Sequence, residues 1–453
     1  MRKLFFLALS GLLLASCSQA PKQCCAHRHP CYAYSSTIYE LNTRQLTDEG
    51  TFAAAEAVLP ELRECGIDIL WIMPCQPIGK VTRKGTLGSY YSIQDYCAIN
   101  PEFGTRADFE HFLKTAHELG FKVILDWVAN HTAPDHAWTQ NEGWHYRDSL
   151  GNLMVQYDWT DISKLNYDNQ DMRNAMLAQM QWWMDTIGLD GFRCDVAGEV
   201  PTDFWNWAMD SLRVNHPKMF TLAENEDKAQ EFTESAFDMY YGWNLHHLMN
   251  EVAQGKKGVE DLWGYFAQCD TTIRPEAIRM NFTSNHDENS WAGTEFERMG
   301  DAASLFAAFT YVVPGMPLIY TGQPSGNHHR LAFFEKDVID RVENAPQFAI
   351  YKQLNELREN NRALWSSEEG EKMIRVATDN DAIFACVRAK KCERCKVDNT
   401  VIAVMNMSDK EQTVTLDLTG YEGFYQCLCG HKKELDTHTT MTLKPWDYKI
   451  LTK

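Results

Sequence analysis

Eight short apolar segments recur between residues 36 and 365, and a helical pattern or a helix-like segment follows each of them. They lie at residues 37–42, 68–73, 122–127, 191–195, 219–223, 236–241, 278–284 and 316–321. Short strands that are apolar on both faces are typical of a parallel sheet covered by helices. The pattern predicts an α/β fold in which the sheet closes into a (β/α)8 TIM barrel over 36–365. A doubly wound sheet is the alternative, but no glycine-rich phosphate turn follows an early strand.

Two regions interrupt this alternation. Residues 131–168, between the third predicted strand and its helix, are rich in polar and aromatic residues, which predicts a small inserted subdomain. From about residue 370 the helical patterns end, and short strands with one apolar face continue to residue 453. We therefore expect a C-terminal all-β sandwich domain over residues 370–453.

The N-terminus has the pattern of an export signal. A basic pair precedes a mostly apolar segment over residues 4–14, which is too short to span a bilayer as a helix. The sequence Leu-Ala-Ser-Cys that ends at Cys17 resembles a bacterial lipobox, in which the cysteine becomes the lipid-bearing N-terminus. We expect residues 1–17 to be a lipoprotein signal and 18–35 a tether, with the protein extracytoplasmic and lipid-anchored to a bacterial membrane. An ordinary secretory signal is the alternative.

The charge balance limits the class of partner. The chain carries 62 acidic and 43 basic residues, a formal net charge of −19. A surface of that sign repels nucleic acid, so we expect no nucleic-acid partner and favour a neutral substrate.

The cysteines leave more than one interpretation open. The chain has 14 of them, including Cys392 and Cys395 in CxxC spacing and Cys427 and Cys429 in CxC spacing. A zinc site is the weaker interpretation because the second pair lacks CxxC spacing, and disulfides or buried free thiols are preferred.

Polar residues follow the predicted strands at the end where a barrel carries its active site. Those after the third, fourth, fifth and seventh strands are Asp126, Asn130, His131, Arg193, Asp195, Glu224, His286 and Asp287. Because the carboxyl ends of barrel strands meet at one face, we expect these side chains to converge. Carboxylates in such a set indicate glycoside hydrolysis, in which one carboxylate attacks the sugar and one carboxylic acid protonates the leaving group. Arg193, whose charge is permanent, is expected to keep Asp195 ionised.

Four of these segments carry a family resemblance. They are DWVANHT (126–132), GFRCDVA (191–197), TLAEN (221–225) and TSNHD (283–287). Together they resemble the four signature regions of the α-amylase family, glycoside hydrolase family 13, in the order and spacing of that family. The resemblance covers about residues 36–453.

The resemblance implies roles for individual residues. Asp195 matches the nucleophile of the family, Glu224 its general acid/base, and Asp287 the third carboxylate that binds sugar hydroxyls. The residues that match those around the cleaved sugar are Arg193, His131, His286 and Tyr91, the last as the tyrosine that stacks under the sugar. Asp126 and Asn130 match supporting positions, which in many members also serve a calcium ion.

Other positions depart from the commonest family pattern. The segment ISKLN (162–166) puts Lys164 where calcium-binding members have an aspartate ligand, so calcium is disfavoured and no cofactor or metal is expected. ISKLN and DVAGE (195–199) resemble the neopullulanase and cyclodextrin-degrading branch. The Gly-Gln-Glu commonly found after the eighth strand is Gly-Gln-Pro at 322–324. The family is therefore clearer than the branch.

We expect a retaining hydrolase that acts on starch, maltooligosaccharides or related α-glucans. A neopullulanase-like or cyclomaltodextrinase-like enzyme, or a transglycosylase, is the alternative on the same site. A starch-binding lipoprotein without catalysis is the alternative from another class. It is disfavoured because Asp195, Glu224 and Asp287 are all present, and a binding protein does not need all three.

Overall fold

The computed structural model describes residues 28–392 and 397–453. The predicted lipidation site Cys17, the tether up to residue 27, and Cys395 lie outside the described residues. Within the two described ranges, no helix has both the length and the apolar character needed to cross a membrane.

The secondary structure alternates between strands and helices up to residue 360 and is all-β beyond residue 374. The strands of the described residues are β1 Ile38–Leu41, β2 Ile69–Ile72, β3 Lys122–Trp127, β4 His131–Thr132, β5 Ser163–Lys164, β6 Gly191–Cys194, β7 Phe220–Ala223, β8 Met239–Tyr241, β9 Ile278–Phe282, β10 Met316–Tyr320, β11 Ile374–Arg375, β12 Ala377–Thr378, β13 Ile383–Cys392, β14 Val397–Asn406, β15 Gln412–Asp417, β16 Gly423–Cys427, β17 Lys432–Leu435, β18 His438–Leu443 and β19 Tyr448–Thr452. The α-helices of the same ranges are α1 Thr43–Leu46, α2 Phe52–Glu56, α3 Leu59–Glu64, α4 Arg106–Glu118, α5 Gln170–Trp182, α6 Thr202–Asn215, α7 Ala229–Phe232, α8 Trp243–Ala253, α9 Val259–Thr272, α10 Glu295–Met299, α11 Ala303–Val312 and α12 Pro346–Asn360.

Parallel strands close the barrel in the order β1-β10-β9-β8-β7-β6-β3-β2, and β1 pairs with both β10 and β2. Each barrel strand lies within one of the segments predicted from the sequence. Alternate residues such as Ile38, Trp71, Phe220 and Met280 form a buried cluster enclosed by the strands, and their neighbours pack against the helices. The predicted TIM barrel is confirmed.

Local chemistry sets the helix boundaries near the site. The helical segment that follows β1 and α1 is divided into two helices, α2 and α3, because Pro60 stands in the first turn of α3 and has no N–H for the preceding turn. Helix α4 begins after Thr105, whose hydroxyl accepts from the Asp108 backbone N at 3.2 Å. Asp108 Oδ2 accepts in return from the Thr105 backbone N at 2.7 Å, which completes a capping box at the end of the long loop after β2.

Strand β6 passes very close to β7 at Gly191. This residue has a φ of +152°, and a Cβ atom built on it lies 1.8 Å from the carbonyl oxygen of Phe220. Any side chain there would force the two strands apart, so the position requires glycine. Because Arg193 and Asp195 follow directly, this close approach sets where both residues stand.

Residues 131–168 form an insertion between β3 and α5. Strands β4 and β5 pair in antiparallel fashion, with His131 opposite Lys164, and an isolated bridge joins His145 to Leu165. The insertion therefore leaves and rejoins the barrel at nearly the same point, at the carboxyl end of β3.

After α12 the chain forms two antiparallel sheets. A six-stranded sheet has the order β11-β13-β14-β19-β16-β17, and a three-stranded sheet has the order β12-β15-β18. Apolar residues of both sheets, Val387 and Leu416 among them, form one buried cluster, so the predicted sandwich is confirmed. Strands β16 and β17 are not indicated by the sequence pattern, because Tyr425 and Leu435 are their buried residues and the other side chains are exposed or half-buried.

Cys392 and Cys427 lie at different places in the larger sheet. Cys427 pairs with Leu451, which lies opposite Ile402, and Ile402 lies opposite Val387. Cys392 stands five residues beyond Val387, at the end of β13. The register therefore separates Cys392 from Cys427 along the strands.

Candidate active site

Arg193 lies on β6 near the carboxyl end of the barrel and is completely buried. Its Nη1 atom donates to Asp126 Oδ1 at 2.8 Å and to Asp195 Oδ1 at 3.0 Å. Its Nη2 atom lies 3.0 Å from Glu224 Oε2, an ion-pair contact without hydrogen-bond alignment. Its Nε atom donates to the Tyr241 hydroxyl at 3.1 Å. One guanidinium therefore gathers carboxylates from the ends of β3, β6 and β7.

Asp126 supports this cluster from within the barrel. It is fully buried, and its second oxygen, Oδ2, accepts from Trp71 Nε1 at 3.1 Å and from the Tyr91 hydroxyl at 3.0 Å. Both oxygens of the carboxylate therefore have protein partners. Asp126 fixes the position of Tyr91 as well as that of Arg193.

His286 joins Tyr91 to a carboxylate on the first strand. His286 Nδ1 lies 2.5 Å from Glu40 Oε1, while its Nε2 lies 2.8 Å from the Tyr91 hydroxyl and 3.2 Å from Asp287 Oδ2. Burial lowers the pKa of His286, but the charges of Asp287 and Glu40 outweigh burial and raise this pKa to about 9. The ring is therefore a buried cation at neutral pH, and its Nδ1–H donates to Glu40.

The backbone turn after β6 is strained. Val196 has φ +36° and ψ +46°, in the left-handed region that β-branched residues avoid. Its N–H donates to Glu224 Oε2 at 2.7 Å, so the turn links the backbone beside Asp195 to the second carboxylate. Such strain costs about 1–3 kcal/mol and persists where the surrounding structure fixes it.

Carboxylates outnumber cations at this face of the barrel. Five acidic residues contact the two cations Arg193 and His286. The five acidic residues are Glu40, Asp126, Asp195, Glu224 and Asp287. Burial raises the pKa of Asp195 well above its ordinary value, the charge of Glu224 adds to the rise, and Arg193 opposes it. Burial also raises the pKa of Asp287, and His286 opposes that rise. The cluster therefore keeps a proton at pH values where isolated carboxylates have lost theirs.

His131 differs from His286 in charge. Burial lowers the pKa of His131 to about 4, so its ring is neutral. Its Nδ1 lies 3.1 Å from Asn130 Nδ2, which assigns Nδ1 as the acceptor and leaves the proton on Nε2. Nε2 is buried and has no aligned hydrogen-bond partner in the described part of the chain. The Tyr91 backbone interacts with the ring and opposes the fall in its pKa.

A chain of hydrogen bonds fastens the insertion to the turn after β6. Asn130 Nδ2 donates to Gln156 Oε1 at 2.7 Å, and Gln156 Nε2 donates to Glu199 Oε2 at 2.7 Å. The Tyr157 hydroxyl donates to Glu199 Oε1 at 2.7 Å, and Lys164 Nζ lies 3.8 Å from Glu199 Oε2. The hydrogen bond from Tyr157 lowers the pKa of Glu199, so this carboxylate is ionised and holds the surrounding donors.

A cavity of about 380 Å³ opens at the carboxyl end of the barrel. The predicted site residues that line it are Tyr91, His131, Asp195, Glu224, His286 and Asp287. The other predicted residues, Asp126, Asn130 and Arg193, are buried behind this wall. Aromatic residues from loops complete the lining, namely Trp159, Trp291, Phe333 and Phe334. The structure therefore brings all the barrel residues predicted from the sequence to one site.

Sequence reasoning does not identify several residues of this site. Glu40 gives a readable signal, because it is an acidic residue inside an otherwise apolar strand, where a charge needs a partner. Trp71 and Tyr241 have the pattern of ordinary core residues, and nothing in the sequence sets them apart. Gln156 and Trp159 lie in the irregular insertion, where spacing gives no guide to position.

A comparison with known families decides the classification. The family model for the α-amylase catalytic domain matches residues 44–143 and 139–341, which together are more than half of the chain. The chain belongs to the α-amylase family.

A relative in the family is similar over about two thirds of this chain. The α-amylase MalA of Haloarcula japonica is 30% identical over 313 residues, which cover 66% of this chain and 46% of that protein. The chain therefore matches about half the length of that relative.

Solved structures of family members follow the whole architecture. An α-amylase from Lactobacillus plantarum matches with a TM-score of 0.81 and 28% identity, covering 92% of this chain and 99% of its own. A noncanonic maltogenic α-amylase from Thermotoga neapolitana matches with a TM-score of 0.82 and 26% identity, covering 92% and 98%. The combination of barrel and C-terminal sandwich is therefore shared with solved members of the family.

The Glu40–His286 pair predicts a pH dependence of stability. The pKa of His286 is about 9 in the folded protein, above its unfolded value of about 6.5. The stabilisation is therefore complete below pH 6.5 and is lost as the pH rises through about 9. In Glu40→Gln the pKa of His286 is lower, so we expect a smaller fall in the free energy of unfolding across this interval. Urea unfolding at several pH values measures the difference.

A surface pair provides the control for this experiment. Glu260 forms an exposed ion pair with Arg375, and Glu260→Gln should keep the wild-type pH dependence. If Glu40→Gln and wild type lose the same free energy between pH 6.5 and 9, the assignment of a buried cationic His286 is wrong.

Proposed function

We propose that the protein is a retaining hydrolase of α-glucans such as starch and maltooligosaccharides. The observation that carries the proposal is that Arg193 holds Asp195 and Glu224 at one cavity wall, each through a contact of 3.0 Å. In retaining glycosidases the two carboxyl groups are only about 5–5.5 Å apart, a shorter distance than that between the two carboxyl groups of inverting enzymes. Contact of both carboxylates with one guanidinium keeps them close together and favours the shorter spacing of a retaining enzyme.

In the proposed reaction the proton that the cluster keeps resides on Glu224, and Asp195, ionised beside Arg193, attacks the anomeric carbon and forms a glycosyl ester as the bond to the leaving oxygen breaks. Glu224 gives its proton to that oxygen, then removes a proton from the water that hydrolyses the ester. Two successive inversions leave the product with the α configuration. The Val196 N–H, 2.7 Å from Glu224 Oε2, orients the acid/base carboxyl through both steps.

The remaining cavity residues bind the sugar in this proposal. His286 is a cation and His131 is neutral, so they offer donors of different strength to the sugar hydroxyls. Asp287 is the most exposed carboxylate of the cluster and accepts from hydroxyl groups. Tyr91, hydrogen-bonded to Asp126, presents part of its ring to the apolar face of the sugar.

The variant Glu224→Gln tests the acid/base assignment. It keeps the side-chain shape but cannot supply a proton, so kcat/KM for maltooligosaccharides should fall about 10²–10⁴-fold. Aryl glycosides with activated leaving groups need no proton, and their kcat/KM should fall far less. Steady-state kinetics on both substrates, with circular dichroism to check the fold, measures the effect.

Asp195→Asn is the matched variant for this test. It removes the nucleophile that both substrates need, so kcat/KM should fall for both by similar large factors. An equal loss on both substrates in Glu224→Gln would show that Glu224 is not the proton donor.

We also propose that the enzyme works without a bound calcium ion. Where calcium-binding members supply an aspartate, this chain places the Lys164 ammonium group, 3.8 Å from Glu199 Oε2. The Glu199 carboxylate is already occupied by Gln156 and Tyr157, and Asn130 is bonded to Gln156. These residues do not fit a calcium site, which needs several free oxygen ligands including carboxylates.

Dialysis against a strong chelator should therefore leave kcat and the melting temperature within error of the untreated enzyme. The ammonium group takes the place of the metal charge, and a chelator cannot remove it. Loss of activity that returns on addition of calcium, and not of magnesium, would contradict this proposal.

We propose that export leaves the protein anchored to a membrane through a lipid on Cys17. The support is the basic and apolar pattern of the first residues and the Leu-Ala-Ser-Cys sequence that ends at Cys17. The variant Cys17→Ala should appear in the soluble fraction or remain unprocessed, as fractionation and mass spectrometry would show. Unchanged membrane association with normal processing would rule out this anchor.

A further inference from the structure

The loop between β2 and α4 crosses one end of the active-site cavity. We call its residues 79–88 the strap. It runs from the insertion on one side of the cavity to the loop that follows β10 on the other. Both of those segments line the cavity, through Trp159 on one side and Phe333 and Phe334 on the other.

Side chains fasten the first half of the strap to the insertion. The Thr82 hydroxyl donates to the Thr160 carbonyl at 2.8 Å. Lys84 Nζ donates to the Asp158 carbonyl at 3.3 Å and lies 3.4 Å from Asp161 Oδ1, a carboxylate that is almost fully buried. Lys84 itself lines the cavity, so this ion pair forms part of the cavity wall.

Backbone contacts fasten the second half to the loop after β10. The Thr86 N–H donates to Glu335 Oε1 at 2.9 Å, and the Leu87 N–H donates to the Phe334 carbonyl at 3.1 Å. The buried Arg44 joins the strap to the loop after β10, because its Nη1 donates to the Gly88 carbonyl at 3.1 Å and to the Phe333 carbonyl at 3.2 Å.

The strap is a fixed wall of the cavity. Gly85 has a φ of +62°, and a Cβ atom built on it lies 2.5 Å from Phe334 Cβ, so the two segments are in close contact. Arg83 braces the strap internally, with Nε donating to the Gly79 carbonyl at 2.8 Å and Nη2 to the Ile78 carbonyl at 2.8 Å. A segment held at both ends and in the middle resists displacement by a sugar chain.

The strap follows β2, and the side of the cavity opposite to it lies over β7 and β8, which are across the closed barrel from β2. Val196 and Glu224 line the cavity and also a second cleft, whose other residues include Asn225, Asp227 and Trp243. Because Glu224 protonates the leaving oxygen in the proposed reaction, the leaving part of the substrate extends along this cleft. On one side of the cleaved bond the cavity therefore continues into the second cleft, and the strap lies on the other side.

The strap faces the part of the substrate that stays on the enzyme. Lys84 lines the cavity together with Asp195 and Tyr91 and does not line the second cleft. The sugar that becomes bonded to Asp195 is attached through its anomeric carbon, and this carbon lies on the side of the sugar toward the reducing end of the chain. Any further sugars of that retained part extend toward the non-reducing end, away from the second cleft and toward Lys84 of the strap.

We propose that the strap makes the enzyme exo-acting, so that it releases short saccharides from the non-reducing ends of α-glucans. This inference rests on the proposed hydrolase function and adds the direction and position of attack. A chain enters with its non-reducing end first, and Lys84 and Thr82 hold the wall that stops it.

A pair of aryl maltoheptaosides tests this inference, one with a free non-reducing end and one with that end blocked by an ethylidene group. Chromatography of the products gives kcat/KM for each. The wild type should cleave the blocked substrate at least about tenfold more slowly than the free one. Equal rates on both substrates would overturn the inference, whereas failure to cleave the free substrate would refute the hydrolase proposal itself.

Variants of the strap assign the effect to its residues. The double variant Thr82→Ala with Lys84→Ala removes the side-chain bonds to the insertion, and the rate ratio of blocked to free substrate should rise several-fold. Lys80→Ala is the matched control, because Lys80 is an exposed strap residue that does not line the cavity. An unchanged ratio in a folded double variant would overturn the role of the strap.

A measurement on the wild type alone guards against variants that fail to fold. With amylose as substrate, an exo-acting enzyme releases reducing ends while the iodine colour of the long chains persists. Rapid loss of the iodine colour at the same release of reducing ends would show cleavage inside chains and would overturn the inference.

Discussion

Arg193 carries a permanent charge into a place from which water is excluded, and the carboxylates around it make that burial tolerable. In return, its charge allows Asp126, Asp195 and Glu224 to stand within contact distance of one group despite their mutual repulsion. The Trp71 ring, 4.8 Å from the guanidinium carbon, closes the cluster from inside the barrel. These groups come from β2, β3, β6 and β7, which are neighbours in the sheet, and the parallel pairing of those strands brings them together. Pairing of these strands and assembly of the Arg193 cluster are therefore one event.

The same geometry explains why the barrel residues could be predicted from the sequence. The parallel strands of a barrel end at one face, so a polar residue at the end of an apolar strand can be placed at that face from the sequence. Asp126, Glu224 and Asp287 are examples. The strands themselves could be predicted because their apolar residues fill both the interior and the layer under the helices. For Glu40 the sequence predicts less. Its place on an apolar strand shows that it needs a buried partner, but not that the partner is His286.

Loops and two strands of the sandwich could not be predicted, the loops because their positions depend on contacts between residues distant in sequence. Gln156 reaches Glu199 across 43 positions, and the Leu87 N–H bonds to a carbonyl in the loop after β10. No periodicity records such pairs. Strands β16 and β17 add the second kind of failure, since they bury little and so carry little apolar pattern. Lys164 marks an intermediate case, because the residue type could be read but its partner Glu199 could not.

The chemistry and the specificity of this site thus belong to different layers of the fold. The groups proposed to break the bond stand at strand ends, where the barrel ladder fixes them and where a shift in register would move a whole strand. The groups proposed to limit the substrate stand on the insertion, the strap and the loop after β10, which hold one another through Lys84 and Arg44. In this proposal a change in that outer ring alters where the cavity ends and leaves Arg193 in place. Such a fold can change between attack at chain ends and attack within chains while its carboxylates keep the same positions.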